Sequence, residues 1–124
     1  MFSDQERDYL RNQPLARIAT VDEGGQVDVA PVIYRFDGRR FYISGLRMAR
    51  TLKYRNVARG NTRVALVVDD LASRDPWQPR GVKVHGTAEI IKEPGKAPYL
   101  KITPTTHWSW GLEEPGTPMR RHDW

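Results

Sequence analysis

The alternation of apolar and polar positions divides the chain into short segments, most of which have the two-residue period of strands. Ser3-Asp4-Gln5-Glu6 has the form of a capping box and predicts a short helix to about Arg11, ended by Pro14. Leu15–Val21 (LARIATV) predicts a strand, followed by turn chemistry at Asp22-Glu23-Gly24-Gly25. Gln26–Phe36 (QVDVAPVIYRF) alternates as a second strand, and Pro31 within it marks a bulge or an edge position, because proline donates no ladder hydrogen bond. Asp37-Gly38 signals a hairpin into a third strand, Arg39–Ser44. Gly45 allows a sharp turn into a helix over roughly Arg47–Ala58, closed by Arg59-Gly60-Asn61. Thr62–Val68 reads as a β-branched apolar strand, Asp69–Arg80 as a long loop holding Trp77, and Gly81–Lys92 as a strand with a bulge at Gly86. After a turn at Glu93–Ala97, Tyr99–Leu112 is expected to be a last strand interrupted at Pro104, with an irregular tail over 114–124. Six strands, many hairpin signals and one helix between the third and fourth strands predict a mainly β protein, a small antiparallel barrel over 1–113.

Composition narrows the chemistry. The chain has 124 residues, enough for one domain with a single core. It contains no cysteine, which excludes disulfides and thiol catalysis and fits a reducing, cytoplasmic setting. The N-terminal MFSDQERDYL has no apolar signal region, and no segment nears the roughly 18 uninterrupted apolar residues of a membrane span, so no membrane role is expected.

Charge sharpens the picture further. The net charge is +5, and Arg47, Arg50, Lys53, Arg55, Arg59 and Arg63 follow one another with no acid between Asp37 and Asp69. A solvated helix normally mixes signs three or four residues apart; this one does not, so its field calls for an anion. On a continuous helix Arg47, Arg50, Lys53 and Asn56 share one face, and the N–H groups at its start after Ser44-Gly45 suit a phosphate. A phosphorylated cofactor, nucleic acid and an acidic tail all fit this charge.

Other candidate residues have competing readings. His85 on its strand is a surface or hydrogen-bonded residue before it is a catalyst. His107 and His122 show no ligand spacing, so no metal site is expected. Trp108 and Trp110, two apart, point to one face, where core or dimer packing competes with stacking on a substrate; Trp77 is either a substrate lid or a loop anchor.

The ordered set LARIATVDEGGQVDVAPVIYRFDGRRFYIS, TLKYRNVARGNTRVALVVDD, GVKVHGTAEII and ITPTTHWSWGL resembles the pyridoxamine-phosphate-oxidase-like (PPOX class) split β-barrel proteins. Within that group it is similar to the small branch that uses the deazaflavin coenzyme F420. The resemblance runs from Phe2 to Leu112 and is carried above all by Lys53-x-x-Asn56, a basic turn, and an apolar strand ending in acid. It implies a six-stranded antiparallel FMN-binding split barrel, assembled as a homodimer with cofactor sites at the interface. It further implies phosphate contacts from Ser44, Arg47, Arg50 or Thr51, Lys53 and Asn56, with Pro31 and Val32 on the strand beside the ring system. Thr51 stands where related proteins often carry arginine. The implied activity is hydride transfer between F420 and a small organic substrate, with no catalytic acid named and Trp77 and Trp108 as candidate substrate contacts. The positive charge exceeds what the single phosphate of FMN needs and suits the carboxylate tail of F420. Alternatives are an FMN-binding oxidoreductase of the same fold, a non-catalytic F420 carrier and, less favoured, a nucleic-acid-binding small barrel.

Overall fold

The computed structural model describes residues 1–124. Helix α1 (Asp4–Asn12) opens on the capping box: the Ser3 side chain accepts from the Glu6 N–H at 3.1 Å, and Glu6 accepts from the Ser3 N–H at 2.8 Å. Eight strands follow: β1 (Ala16–Val21), β2 (Val27–Val32), β3 (Arg35–Phe36), β4 (Phe41–Ile43), β5 (Arg63–Ser73), β6 (Gln78–Ile91), β7 (Tyr99–Trp110) and β8 (Arg120–Asp123). Helix α2 (Leu52–Ala58) lies between β4 and β5. The strands form one antiparallel sheet in the order β2-β1-β5-β6-β7-β4-β3, with β8 on the far half of β7. The sheet curls around an apolar core, and α1 and α2 pack against it.

The core takes one face of each strand. Ile18, Phe41, Ile43, Leu66, Val68, Val82, Val84, Leu100 and Ile102 point inward with Leu10 of α1 and Met48. Phe2, Tyr34, Phe36 and Phe41 interlock edge-on or tilted, with ring centroids 4.8–6.0 Å apart. This set bridges α1 to the β3–β4 hairpin.

Several expectations change in tertiary context. There are eight strands where six were expected: the 26–36 segment breaks after Val32, and the tail, expected to be irregular, supplies β8. The break follows from Tyr34, which turns inward to donate a hydrogen bond to the Leu10 carbonyl. The expected loop over Asp69–Arg80 is instead the outer end of a long β5–β6 hairpin, paired down to Ser73 and Gln78. Arg80 holds this end together by binding both Asp70 oxygens at 2.8 and 3.1 Å, and the Tyr9 hydroxyl donates to Asp70 at 2.8 Å. Pro104 does not interrupt β7. The irregularity lies at Thr105, an extra residue opposite His85 and Gly86, so the bulge expected at Gly86 exists with its additional residue on the neighbouring strand. Gly86 is needed there because a Cβ would stand 2.5 Å from the Thr103 carbonyl oxygen. Pro31 sits on an edge strand, as proline requires: β2 pairs with β1 on one side and has no partner on the other.

Candidate cofactor site

The basic segment does not form one helix. Arg47 takes the left-handed conformation (φ 56°), Met48–Arg50 makes a single 3₁₀ turn that buries Met48, and Thr51 is extended (φ −78°, ψ 153°). Thr51 is therefore the N-cap of α2: its hydroxyl accepts from the Tyr54 N–H at 3.3 Å and donates to the Met48 carbonyl at 2.7 Å. That role suits threonine and not arginine. Arg47, Arg50 and Lys53 accordingly fan around a turn instead of lining one helical face, and the helical N–H groups begin at Leu52, eight residues beyond Ser44. Ser44, Arg47 and Arg50 are exposed, while Thr51 and Lys53 are half-buried.

Two acids reach this region from the β1–β2 hairpin. Glu23 pairs with Arg59 at 3.3 Å, and Asp28 faces Lys53. Burial holds the Lys53 ammonium below the usual lysine range, only partly offset by Asp28. Arg47, Arg50 and Arg55 form no ion pair. The cations thus remain uncompensated where α2 packs against the open edge strand β2. Pro31 is exposed on that strand, whereas the Val32 side chain points into the core. The backbone of this edge is free to pair with a ligand.

Asn56 does not join the cations. It is fully buried, and its Nδ2 donates to the Thr20 hydroxyl at 2.9 Å, fastening α2 to β1; its Oδ1 has no partner. The predicted phosphate-binding residue is a packing residue that positions the helix carrying Lys53.

A groove of about 610 Å³ runs along the outer face of the sheet, floored by Ala19, Val21, Val27 and Ala65 and flanked by Arg63 and His85. None of the cofactor- or substrate-contact residues implied by the family resemblance lines it, although His85, weighed from the sequence as a surface residue before a catalyst, does. It belongs to a broader apolar outer surface that includes Val29 and Ile33, both about two-thirds exposed.

The tryptophans separate. Trp77 stands 68% exposed at the end of the β5–β6 hairpin. Trp108 and Trp110 share the outer face, as their spacing predicts, but neither is in the core. Lys83 Nζ lies 4.3 Å from the Trp108 ring centroid, Arg121 lies at 5.7 Å and His85 packs edge-on at 4.6 Å. Trp110 covers Gly81, where a Cβ would approach its ring to 2.5 Å.

One cluster escapes sequence reasoning altogether. Glu6 and His107 are buried and 3.0 Å apart, with His122 Nε2 4.0 Å from the same carboxylate oxygen. The bulge at Thr105 shifts the alternation of β7, so His107 faces inward after Pro104 instead of outward. Trp124 Nε1–H donates to His107 Nδ1 at 2.8 Å, so the ring proton sits on Nε2 and points at Glu6. Although the three side chains have the composition of a metal site, the nitrogen facing Glu6 has no lone pair to offer, and the donor set fits a hydrogen-bonded cluster. No signal in the local sequence links residues 101 positions apart.

An antiparallel sheet curled around one core, flanked by two short helices, defines a small split β-barrel. The family model for pyridoxamine 5'-phosphate oxidase matches residues 2–121. The chain belongs to the pyridoxamine 5'-phosphate oxidase family. A 5a,11a-dehydrotetracycline/5a,11a-dehydrooxytetracycline reductase of Streptomyces rimosus is 40% identical over 121 residues, covering 90% of this chain and 84% of that protein. A conserved hypothetical protein of Mycobacterium tuberculosis shares the fold with a TM-score of 0.76 at 22% identity, covering 95% of this chain and 90% of that one. A solved F420 reductase superposes with a TM-score of 0.67 at 20% identity, covering 86% of this chain and 98% of that one. The two structural likenesses establish the fold; the reductase relative supports an oxidoreductase.

Proposed function

We propose that this protein is an F420-dependent reductase that adds hydride to a carbon–carbon double bond of an unsaturated, dehydro organic substrate, of the kind named for its tetracycline-reducing relative. The observation that carries the cofactor assignment is the unpaired Arg47, Arg50 and half-buried Lys53 beside the open edge of β2. These residues fit an anionic cofactor with more than one negative group. Lys53, already partly stripped of water, gains most from a phosphate, and Arg47 and Arg50, both exposed, suit carboxylates further out. When bound, the deazaflavin would supply the hydride to one carbon of the double bond, and solvent the proton to the other.

The protein's own contribution is placement. Asn56 and Thr51 fix the start of α2 and hence Lys53; the free backbone of β2 at Pro31 and Val32 orients the ring system; the apolar outer face excludes water. The molecule works as a homodimer in this reading. The exposed Val27, Val29 and Ile33 form an apolar surface that a second copy covers, enclosing cofactor and substrate between two barrels.

The test is a fluorescence titration of the purified protein with F420 and, separately, FMN, followed by turnover of dehydrotetracycline with reduced F420. Micromolar or tighter F420 binding, weak FMN binding and substrate-dependent oxidation of the reduced cofactor are expected. A preference for FMN moves the protein to the flavin side of the family, and tight F420 binding without turnover on any dehydro substrate makes it a carrier.

A further inference from the structure

The buried contacts around His107 admit only a neutral ring. Nδ1 accepts the Trp124 indole N–H at 2.8 Å, and Nε2 donates to Glu6 Oε2 at 3.0 Å. A second ring proton has to go on Nδ1, where it would face the indole N–H, donor against donor. We propose that His107 is a proton-operated clasp for β8: the neutral ring holds Trp124 and the strand before it, and protonation expels both.

The surroundings make the exclusion strict. His107 has no exposed surface, and Phe2 packs on it at 4.5 Å and on Trp124 at 5.0 Å, so the ring and the indole share one packed contact. The titratable and charged groups near it are few. From α1, Glu6 attracts a protonated ring; Asp4 and Arg7 pair with each other. From β8, His122 stacks on His107 at 4.7 Å and 18°, so a charge on both rings is repulsive; Arg121 pairs with Asp123, and Arg120 is exposed beyond them. On β6, Val84 lies opposite, and no charge faces the ring from that side. Protonation therefore keeps the Glu6 contact, strengthening it, and gives up the Trp124 contact.

The strand released is otherwise held by a short ladder, a Thr106–Asp123 side-chain hydrogen bond at 3.4 Å and the Arg121 contact with Trp108. β8 pairs only with Thr106–Ser109 of β7, all four of its residues are exposed, and the Trp124 N–H to the Thr105 carbonyl at 3.0 Å is its last backbone tie. Its departure leaves the Thr106–Ser109 edge without a partner and lifts Arg121 off the Trp108 ring, which keeps Lys83 and His85, the latter bordering the outer groove. The clasp thus ties proton concentration to the shape of the outer face.

Hydrogen exchange of the full chain, corrected for intrinsic rates and followed by mass spectrometry in peptides covering residues 113–124, tests this between pH 8 and pH 5. Protection of β8 is expected at pH 8 and lost at pH 5, while β5 and β6 stay protected throughout. His107→Gln presents a carbonyl to Trp124 and an amide N–H to Glu6 at every pH, so its β8 protection is expected to be pH-independent; His122→Gln is expected to respond as the parent does. Should His107→Gln fail to fold, Trp124→Phe removes the opposing donor and is expected to show weaker β8 protection that no longer depends on pH. Nitrogen-15 NMR of the histidine rings adds a direct reading, with the His107 proton on Nε2 at pH 8. PH-independent β8 protection in the parent, a response abolished by His122→Gln alone, or a proton on Nδ1 at pH 8 would each overturn the proposal.

Discussion

Glu6→Gln removes one charge and changes the protein's shape hardly at all, yet no orientation of the amide satisfies its neighbours. Glu6 accepts from the Ser3 N–H through Oε1 and from His107 through Oε2. A glutamine must turn its NH₂ toward one of these two donors, and His107 cannot respond by moving its proton, because Trp124 occupies the other nitrogen. Two estimates give the magnitude. Burial alone raises the Glu6 carboxyl, but hydrogen bonds from His107, the Ser109 hydroxyl and the Ser3 backbone outweigh it and bring the pKa from 4.5 down to about 2. By linkage that displacement corresponds to roughly 3 kcal/mol of stability at neutral pH. A buried hydrogen bond to a charged group contributes about 1.5–3 kcal/mol. The expected loss is therefore about 2–3 kcal/mol at pH 7, or roughly 10 °C in Tm. The sign with pH follows from a lowered folded-state pKa: the contribution is complete above 4.5 and disappears as pH falls through about 2. Urea melts of parent and variant at pH 7 and pH 3 should show a gap that falls to less than half at the lower pH. A variant within about 0.5 kcal/mol of the parent at pH 7, or a gap unchanged at pH 3, would show that Glu6 is not held by these charged hydrogen bonds.

Other outcomes are expected on the same grounds. Lys53→Ala should weaken F420 binding by about 1–3 kcal/mol, read in the fluorescence titration, with the urea midpoint little changed. Asn56→Ala should do the reverse in origin: about 1–3 kcal/mol of stability lost with the Thr20 hydrogen bond, and any loss of cofactor affinity following from a displaced α2. Gly86→Ala should destabilise by about 2 kcal/mol or more in urea melts, because its Cβ meets the Thr103 backbone and neither strand can yield without opening the bulge. Lys83→Ala should blue-shift or sharpen Trp108 emission by removing the ammonium 4.3 Å from its ring, while leaving β7 pairing intact by hydrogen exchange.

Local rules carried much of the fold. The capping box at Ser3–Glu6, the hairpin glycines, the proline on an edge strand and the acid-free run from 38 to 68 depend on residues a few positions apart, so sequence reading finds them. The family resemblance likewise rests on an ordered string of short segments. What sequence could not reveal depended on distant partners. The 47–58 helix breaks at Thr51 because the core takes Met48 and the threonine caps the new start. Asn56 looks like a ligand until Thr20, 36 positions away, takes its amide. The Asp69–Arg80 stretch looks irregular until Tyr9, Asp70 and Arg80 brace it as a hairpin. The Glu6–His107–Trp124 cluster exists because a one-residue bulge reverses the facing of β7 and brings both ends of the chain against it. Period and punctuation determine which segments become strands and helices; packing decides which side chains they hide, because burial and hydrogen-bond satisfaction are settled only when the segments meet.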